Sequence, residues 1–176
     1  IRRQRQMCIR DRYKGVESST TIKVVSDPRF TMKEEVDQEL YRYNKAINVE
    51  VEKLKSLFNL VSSWENELKK IKESFTKQAK EDKSLKSVNI MIDAVKQLKL
   101  AGIDNPGDRQ VGAWQSTRIT PVSAINEAEK VAMARLDIPS EQDWKRVSDA
   151  ARLIDAYQVQ IKQFEVLKWR KFIKGY

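Results

Sequence analysis

Apolar residues recur along the chain at the spacing of one face of an α-helix. From Met32 onward they follow one another at gaps of three and four residues, and no glycine or proline interrupts residues 29–101. This period predicts one very long first helix. Thr31 and Glu34 have the spacing of a capping box at its start. The residues predicted to face inward are Met32, Val36, Leu40, Tyr43, Ile47, Val51, Leu54, Phe58, Val61, Trp64, Leu68, Ile71 and Phe75.

Two shorter helices are predicted to follow the first one. A polar run at residues 77–84 predicts a chain reversal, and the next apolar stripe ends at Gly102, a residue typical of a helix C-terminus. A third helix is predicted to begin at Thr120 and Pro121, because proline is favoured in the first turn, and to end near Leu136.

The last helix is predicted to begin after Ser140, with Asp143 three residues later as its capping partner. Its predicted inward residues are Trp144, Val147, Ala151, Ile154, Tyr157, Ile161, Phe164 and Leu167. Two long helices with shorter ones between them predict an all-α fold over residues 31–176. We expect an elongated antiparallel three- to four-helix bundle.

A short β-strand is predicted before the first helix. Residues 20–25 alternate apolar and polar side chains and lead into a Ser-Asp-Pro-Arg sequence. Asp27 is expected to accept hydrogen bonds at the turn, and Pro28 fixes its own φ and removes a backbone donor. Arg29 is expected to pair with Asp27 or with carboxylates of the helix. This strand–helix junction indicates a domain boundary inside a longer protein.

Basic residues are concentrated at the start of the chain. The formal net charge is +9, and residues 1–15 hold six cationic side chains and one acid. Residues 1–12 resemble a translated sequencing-adapter read-through, and a genuine basic arm is the alternative. We therefore assign residues 1–19 to a disordered basic tail and give Cys8 no function. Over the rest of the chain cations and acids are interleaved, which argues against a nucleic-acid interface.

The sequence contains no arrangement of residues typical of a catalytic or metal site. The absence of histidine and the single cysteine exclude thiolate–imidazole metal sites and nucleophilic triads. The acidic turn at residues 104–108 lacks the alternating ligands of a calcium loop. The longest uncharged stretch, residues 56–64, is too short to span a bilayer. We expect no catalysis by this chain, no cofactor and no membrane span.

Two tryptophans are candidates for contact with another domain or protein. Trp114 lies in the longest irregular segment, residues 102–120, where an exposed indole would suit an interface. Packing of this segment onto its own helices is the alternative. Trp169 lies in a basic tract near the end of the last helix, and its alternative role is to cover part of the core.

Several short motifs resemble one family of bacterial proteins. The sequence Ile-Lys-Val-Val-Ser-Asp-Pro-Arg at 22–29, Gln38, and Asn-Lys-Ala-Ile-Asn at 44–48 are similar to the C-terminal part of secreted BNR-repeat propeller proteins of the sortilin type. These proteins are often labelled glycosyl-hydrolase-like. The Asp-Ile-Pro-Ser sequence at 137–140 resembles the entry to the last helix of that family.

The resemblance carries expectations about the rest of the protein. It implies that residues 20–30 are the terminal strand of a truncated β-sandwich and that a propeller precedes it. The helical part would then be a non-catalytic spacer or interaction domain, secreted, periplasmic or on the outer surface. Its partners would be the preceding propeller and sandwich, with self-association through the helices as a further expectation.

Two other classes of function are alternatives. A free-standing helical adaptor or coiled-coil module would present a second apolar stripe on the first helix. Tyr41, Val49, Leu57 and Leu60 provide part of such a stripe. A nucleic-acid-binding bundle would require the cations to form one patch, and a DNA interaction that survives removal of residues 1–15 would support it.

Overall fold

The computed structural model describes residues 6–13, 16–23, 33–77, 82–103 and 119–175. From residue 33 onward the described residues are almost entirely helical, which confirms the prediction of an all-α fold. The helices are α1 (Glu34–Lys77), α2 (Asp82–Gly102), α3 (Pro121–Ala134) and α4 (Glu141–Phe164). A π-helical turn (Glu165–Trp169) and a short α5 (Arg170–Lys174) continue α4.

Two paired strands precede the helices. β1 (Gln6–Tyr13) and β2 (Val16–Lys23) are antiparallel, with Met7 opposite Ile22. The strands therefore include residues that the sequence assigns to a disordered tail, and only the first part of the expected strand at 20–30 lies in β2. The β-branched residues of β2 favour an extended chain and supply the pairing partner for β1.

The starts of α3 and α4 are specified by side-chain caps. Thr120 Oγ1 accepts a hydrogen bond from the backbone N–H of Ser123 at 3.1 Å, and Pro121 is the first helical residue. Ser140 Oγ accepts from the backbone N–H of Asp143 at 3.3 Å, and Asp143 Oδ2 accepts from the Ser140 N–H at 2.9 Å. Both predicted helix starts are confirmed.

The two long helices run in the same direction. Residue numbers rise together along both helices in the side-chain pairs that join them, so α1 and α4 are parallel. The sequence analysis instead expects antiparallel packing. Three aromatic pairs join the helices, with ring centroids 5.3, 5.7 and 5.6 Å apart: Tyr43 with Trp144, Phe58 with Tyr157, and Trp64 with Phe164.

α2 and α3 pack successively along α1, each running opposite to it. α2 lies beside the C-terminal half of α1, where Lys99 Nζ is 2.9 Å from a Glu65 carboxylate oxygen. α3 lies beside the N-terminal half, and its last turn at Met133 borders the same groove as Tyr41. The two long helices can be parallel because α2 and α3 together return the chain to the end at which α1 begins.

The core follows the predicted stripe of α1 closely. Leu40, Tyr43, Val61 and Leu68 are fully buried. Leu57, predicted to belong to a second stripe, is also buried. On α4 the fully buried alanine is Ala150, whereas its predicted neighbour Ala151 is half-buried. Among the described residues one continuous core joins Tyr43, Leu57, Val61, Leu68 and Ala150 to side chains of α2 and α3.

The π-helical turn changes which residues face inward at the end of α4. Leu167 is predicted to be buried, but its side chain is 60% exposed. A π-turn contains one more residue than an α-turn, so the next inward positions move from Leu167 to Trp169 and Phe172. The prediction for Leu167 is wrong because a constant helical period does not include this extra residue.

Gly102 ends α2 at its closest approach to α1 and α4. A Cβ atom at this position would lie 2.8 Å from Phe58 Cζ and 2.8 Å from Tyr157 Cζ. Such distances are shorter than van der Waals contact, so a larger residue would displace two packed rings. The glycine predicted as a helix stop is therefore also required by packing.

Substitution Gly102→Ala tests this packing. We expect it to lower the free energy of unfolding by about 1–2 kcal/mol, because overpacking outweighs the gain in helix propensity. The measurement is the urea midpoint with an unchanged m-value. Gly175→Ala is the matched control, since its Cβ would lie 3.4 Å from the nearest atom. An equal effect of the two substitutions would contradict the packing role of Gly102.

Candidate functional site

A groove lies between α1 and the end of α3, close to the start of α1. Its volume is about 890 Å³. Tyr41 and Val49 line it from α1, and Met133 and Leu136 line it from α3 and the following residues. We call this surface the α1–α3 groove. The side chains of Met133 and Leu136 are 84% and 72% exposed, so the apolar wall is open to solvent.

Three polar side chains around the α1–α3 groove, Asn44, Glu52 and Arg135, have partners within the chain. Asn44 Nδ2 donates to the Leu40 carbonyl oxygen at 2.7 Å, and Glu52 is paired with Lys55 at 2.7 Å. Arg135 is held by two carboxylates. Because these three polar side chains are paired and the apolar side chains of Val49, Met133 and Leu136 are exposed, the groove suits an apolar surface of a macromolecule better than a reactive small molecule.

Beside this groove a buried carboxylate, Asp143, is held by two arginines. The Asp143 side chain is 1% exposed, and its oxygens lie 2.6 Å from Arg135 Nη2 and 2.9 Å from Arg146 Nη1. The same carboxylate caps α4 through Ser140, and the Asp143 carbonyl accepts from the Tyr43 hydroxyl at 3.3 Å. This network ties the start of α4 to α1 and to the residues after α3.

The network accounts for the titration of its members. Burial alone would raise the pKa of Asp143, but the hydrogen bonds from Ser140 and the charges of Arg135 and Arg146 outweigh it and lower that pKa below 3.8. Burial, and then the negative charge of Asp143, raise the pKa of Tyr43. Asp143 is therefore ionised and Tyr43 neutral near pH 7, which suits a structural role and not proton transfer.

Tyr157 is the other buried polar side chain of interest. Its hydroxyl has no hydrogen-bond partner among the described residues, and burial raises its pKa to about 12. It packs against Phe58 and faces Gly102. Because its pKa is raised, the Tyr157 hydroxyl is neutral near pH 7.

Most of the predicted junction and contact residues lie outside the described residues. These are Asp27, Pro28, Arg29 and Thr31 of the strand–helix junction, and Trp114 of the irregular segment. Glu34, the last junction residue, is the first residue of α1, and its Oε1 accepts from Gln38 Nε2 at 3.2 Å. Glu34, Glu35 and Asp37 place negative charge at the positive end of the helix dipole.

Trp169 lies inside the helices. Its side chain is 8% exposed and stacks on Trp64, with ring centroids 5.3 Å apart, and on Phe172. This position agrees with the second of its two alternative roles, covering the core. The ring offers little surface to a partner in this arrangement.

Sequence reasoning identified only half of the α1–α3 groove. Tyr41 and Val49 belong to the second stripe seen on α1, and both are more than a third exposed. Met133 and Leu136 were missed as surface residues. Met133 lies off the buried stripe of α3 that contains Ala128 and Ala132, and Leu136 lies beyond the last residue of α3, so neither side chain is directed to the core.

No group of histidine, cysteine or acidic side chains within the described ranges could hold a metal ion. None of the described helices is long and apolar enough to cross a membrane. Comparisons with protein-family models, curated proteins and solved structures each gave no match to the chain.

Substitution Asp143→Ala tests the buried carboxylate. We expect a loss of about 2–4 kcal/mol in the free energy of unfolding at pH 7, because two guanidinium groups and the α4 cap lose their common partner. Asp149→Ala is the control, since Asp149 is half exposed and pairs with Arg152 on the surface of α4. Comparable losses in the two variants would contradict the role of the network.

The pH dependence supplies a second readout of the same substitution. The folded-state pKa of Asp143 is lowered, so its contribution is fully present above the unfolded value and is lost as pH falls through the folded value. Between about pH 5 and pH 2 the natural chain should therefore lose more stability than Asp143→Ala. Equal slopes in denaturant titrations over this range would argue against the lowered pKa.

Proposed function

We propose that the helices form an elongated bundle, three helices in cross-section, which acts as a non-catalytic spacer and interaction domain of a larger protein. The observation that carries this proposal is the parallel packing of α1 and α4. Because these helices are parallel, α1 begins at one end of the assembly and α5 finishes at the other. The 44 residues of α1 correspond to a length of about 66 Å.

Contacts along the full length of α1 support the rigidity that a spacer needs. The aromatic pairs at Tyr43, Phe58 and Trp64 are distributed along the helix, and Lys53 pairs with Asp155 between the first two. A helix held at several separate points along its length by packed rings cannot bend without opening several contacts together. A domain attached before α1 would thus be kept at a fixed distance from anything that touches α5.

The family resemblance supports a more specific form of the proposal. The motifs at residues 22–29, 44–48 and 137–140 are similar to the C-terminal part of sortilin-type BNR-repeat propeller proteins. On this basis the preceding domains would be a β-propeller and a β-sandwich, and the protein would be exported. Any glycosidase-like activity would belong to the propeller and not to this chain.

The α1–α3 groove is the surface we assign to the preceding domain of the same protein. It lies near the start of α1, the end at which a preceding domain would be attached, and it exposes the apolar side chains of Val49, Met133 and Leu136. Burying Met133, Leu136 and Val49 would remove an apolar patch from water without any change in charge pairing.

A free-standing helical adaptor is the second candidate function. The same exposed residues of the α1–α3 groove favour it, because a separate protein could cover them as well as an attached domain could. Self-association through this groove would be a third way to cover it. The attached domain is preferred because the groove is next to the start of α1.

Reading the gene across the start of this chain tests the proposal. We expect an upstream β-propeller with a secretion signal, followed by a sandwich whose last strand includes residues 20–30. In that longer protein, Met133→Glu combined with Leu136→Glu should free the preceding domain, seen as a larger radius of gyration in X-ray scattering. Val159→Glu, exposed on α4, is the matched control.

Two results would contradict this proposal. An initiator methionine shortly before Thr20 would remove the preceding domains and leave the adaptor as the remaining candidate. An unchanged radius of gyration in the groove variant would show that the α1–α3 groove does not hold the preceding domain, even where the spacer geometry is correct.

A further inference from the structure

The far end of α4 exposes aliphatic side chains among cations. We call residues 162–174 the α4 end. Within it the side chains of Val166, Leu167 and Ile173 are 53%, 60% and 41% exposed. Exposed aliphatic residues are common singly, but three within two turns form a patch. They are unnecessary for the core at this end, because Trp169 and Phe172 fill it.

The charge of the α4 end is strongly positive. It contains five lysine or arginine residues and one acid, Glu165, which pairs with Arg170 at 2.8 Å. Among the described residues, no carboxylate is within ion-pair distance of Lys162, Lys171 or Lys174. These lysines are exposed and therefore present their charge to whatever approaches this end.

The neighbouring face of α2 continues the patch. Ile90 is 69% exposed and lies one turn from Ala94, which borders a shallow groove of about 380 Å³ together with Leu167 and Lys168. Between residues 86 and 99, α2 has three lysines and a single acid, Asp93. Because Lys99 is paired with Glu65 of α1, the second element contributes mainly apolar surface at this end.

From this combination we infer that the α4 end binds peripherally to the surface of an anionic phospholipid bilayer. Exposed aliphatic side chains next to lysines match the interface of such a bilayer, where apolar groups enter the headgroup region and cations meet phosphates. Val166 and Leu167 are adjacent and both protrude, so the apolar surface is broad. A broad surface fits a flat membrane better than a narrow groove on a protein.

This inference goes beyond the proposed spacer function and does not depend on the family resemblance. The α4 end lies opposite the α1–α3 groove along the long axis of the helices. If both proposals are correct, the spacer holds its preceding domain roughly 50 Å from the lipid surface, the length of about 33 helical residues.

Vesicle sedimentation with the full chain tests the inference. We expect co-sedimentation with vesicles of phosphatidylglycerol and phosphatidylcholine, no binding to pure phosphatidylcholine, and weaker binding as salt rises. Lys171→Glu with Lys174→Glu should reduce the partition coefficient at least about tenfold. Leu167→Ser should reduce it about fivefold by removing apolar contact.

Two controls separate this surface from other sources of positive charge. Lys130→Glu with Lys145→Glu makes the same charge change at the opposite end of the helices and should retain binding within about twofold. A second control should also retain binding. It is the same chain with the substitutions Arg2→Gln, Arg3→Gln, Arg5→Gln, Arg10→Gln and Arg12→Gln. Circular dichroism and urea midpoints check that each variant is folded.

Three outcomes would overturn the inference. Equal losses in the two lysine double variants would show a general charge effect. Loss of binding in the arginine-to-glutamine variant alone would assign lipid binding to the start of the chain. The third outcome is that the chain binds no vesicles but binds DNA or an acidic protein, and that Lys171→Glu with Lys174→Glu abolishes this binding. The α4 end would then be assigned to DNA or to an acidic protein instead of to a lipid surface.

Discussion

Burial of the apolar stripe of α1 is the interaction on which the other helices depend. This one surface contacts α2, α3 and α4, and its residues from Tyr43 to Phe75 lie in one core. None of the three shorter apolar faces could be removed from water by itself, since an amphipathic helix is stable only against a partner. The stripe is therefore the template that orders the rest of the chain.

The direction of α4 follows from which parts of the α1 stripe are covered by α2 and α3. α2 occupies the C-terminal half of α1 and is too short to cover the remainder. α3 covers the N-terminal half of α1 and returns the chain to the end at which α1 begins. α4 must then run parallel to α1, with the buried Asp143 network fixing its start and the π-helical turn fixing its end. Separation of the two ends, and hence the spacer proposal, results from this order.

Much of the fold could be predicted because helices depend on local pattern. The stripe of α1, the stop at Gly102 and the caps at Thr120 and Ser140 are all encoded within a few residues. The direction of α4 could not be obtained in this way. It depends on the lengths of α2 and α3 relative to α1 and on which half of α1 each of them covers. The spacing of apolar residues along the sequence does not show how these helices share the surface of α1.

The candidate sites were less accessible to sequence reasoning. Tyr41 and Val49 appear as a second stripe, but nothing local shows that the end of α3 makes the opposite wall of the α1–α3 groove. Asp143 is recognisable as a cap, whereas its burial between Arg135 and Arg146 depends on how the helices meet. Leu167 is predicted to face inward because a constant helical period contains no π-helical turn. In the structure this turn exposes Leu167, and the stacking of Trp169 on Trp64, a contact between two helices, stabilises the turn.

Distances between spin labels measure the central claim, the parallel packing of α1 and α4, most directly. In a Cys8→Ser background, labels at Arg42→Cys and Lys145→Cys should be close, about 20 Å apart, because these residues neighbour the Tyr43–Trp144 contact. Labels at Arg42→Cys and Lys171→Cys should be separated by roughly 40 Å. A short distance for the second pair and a long one for the first would show antiparallel helices and contradict the account.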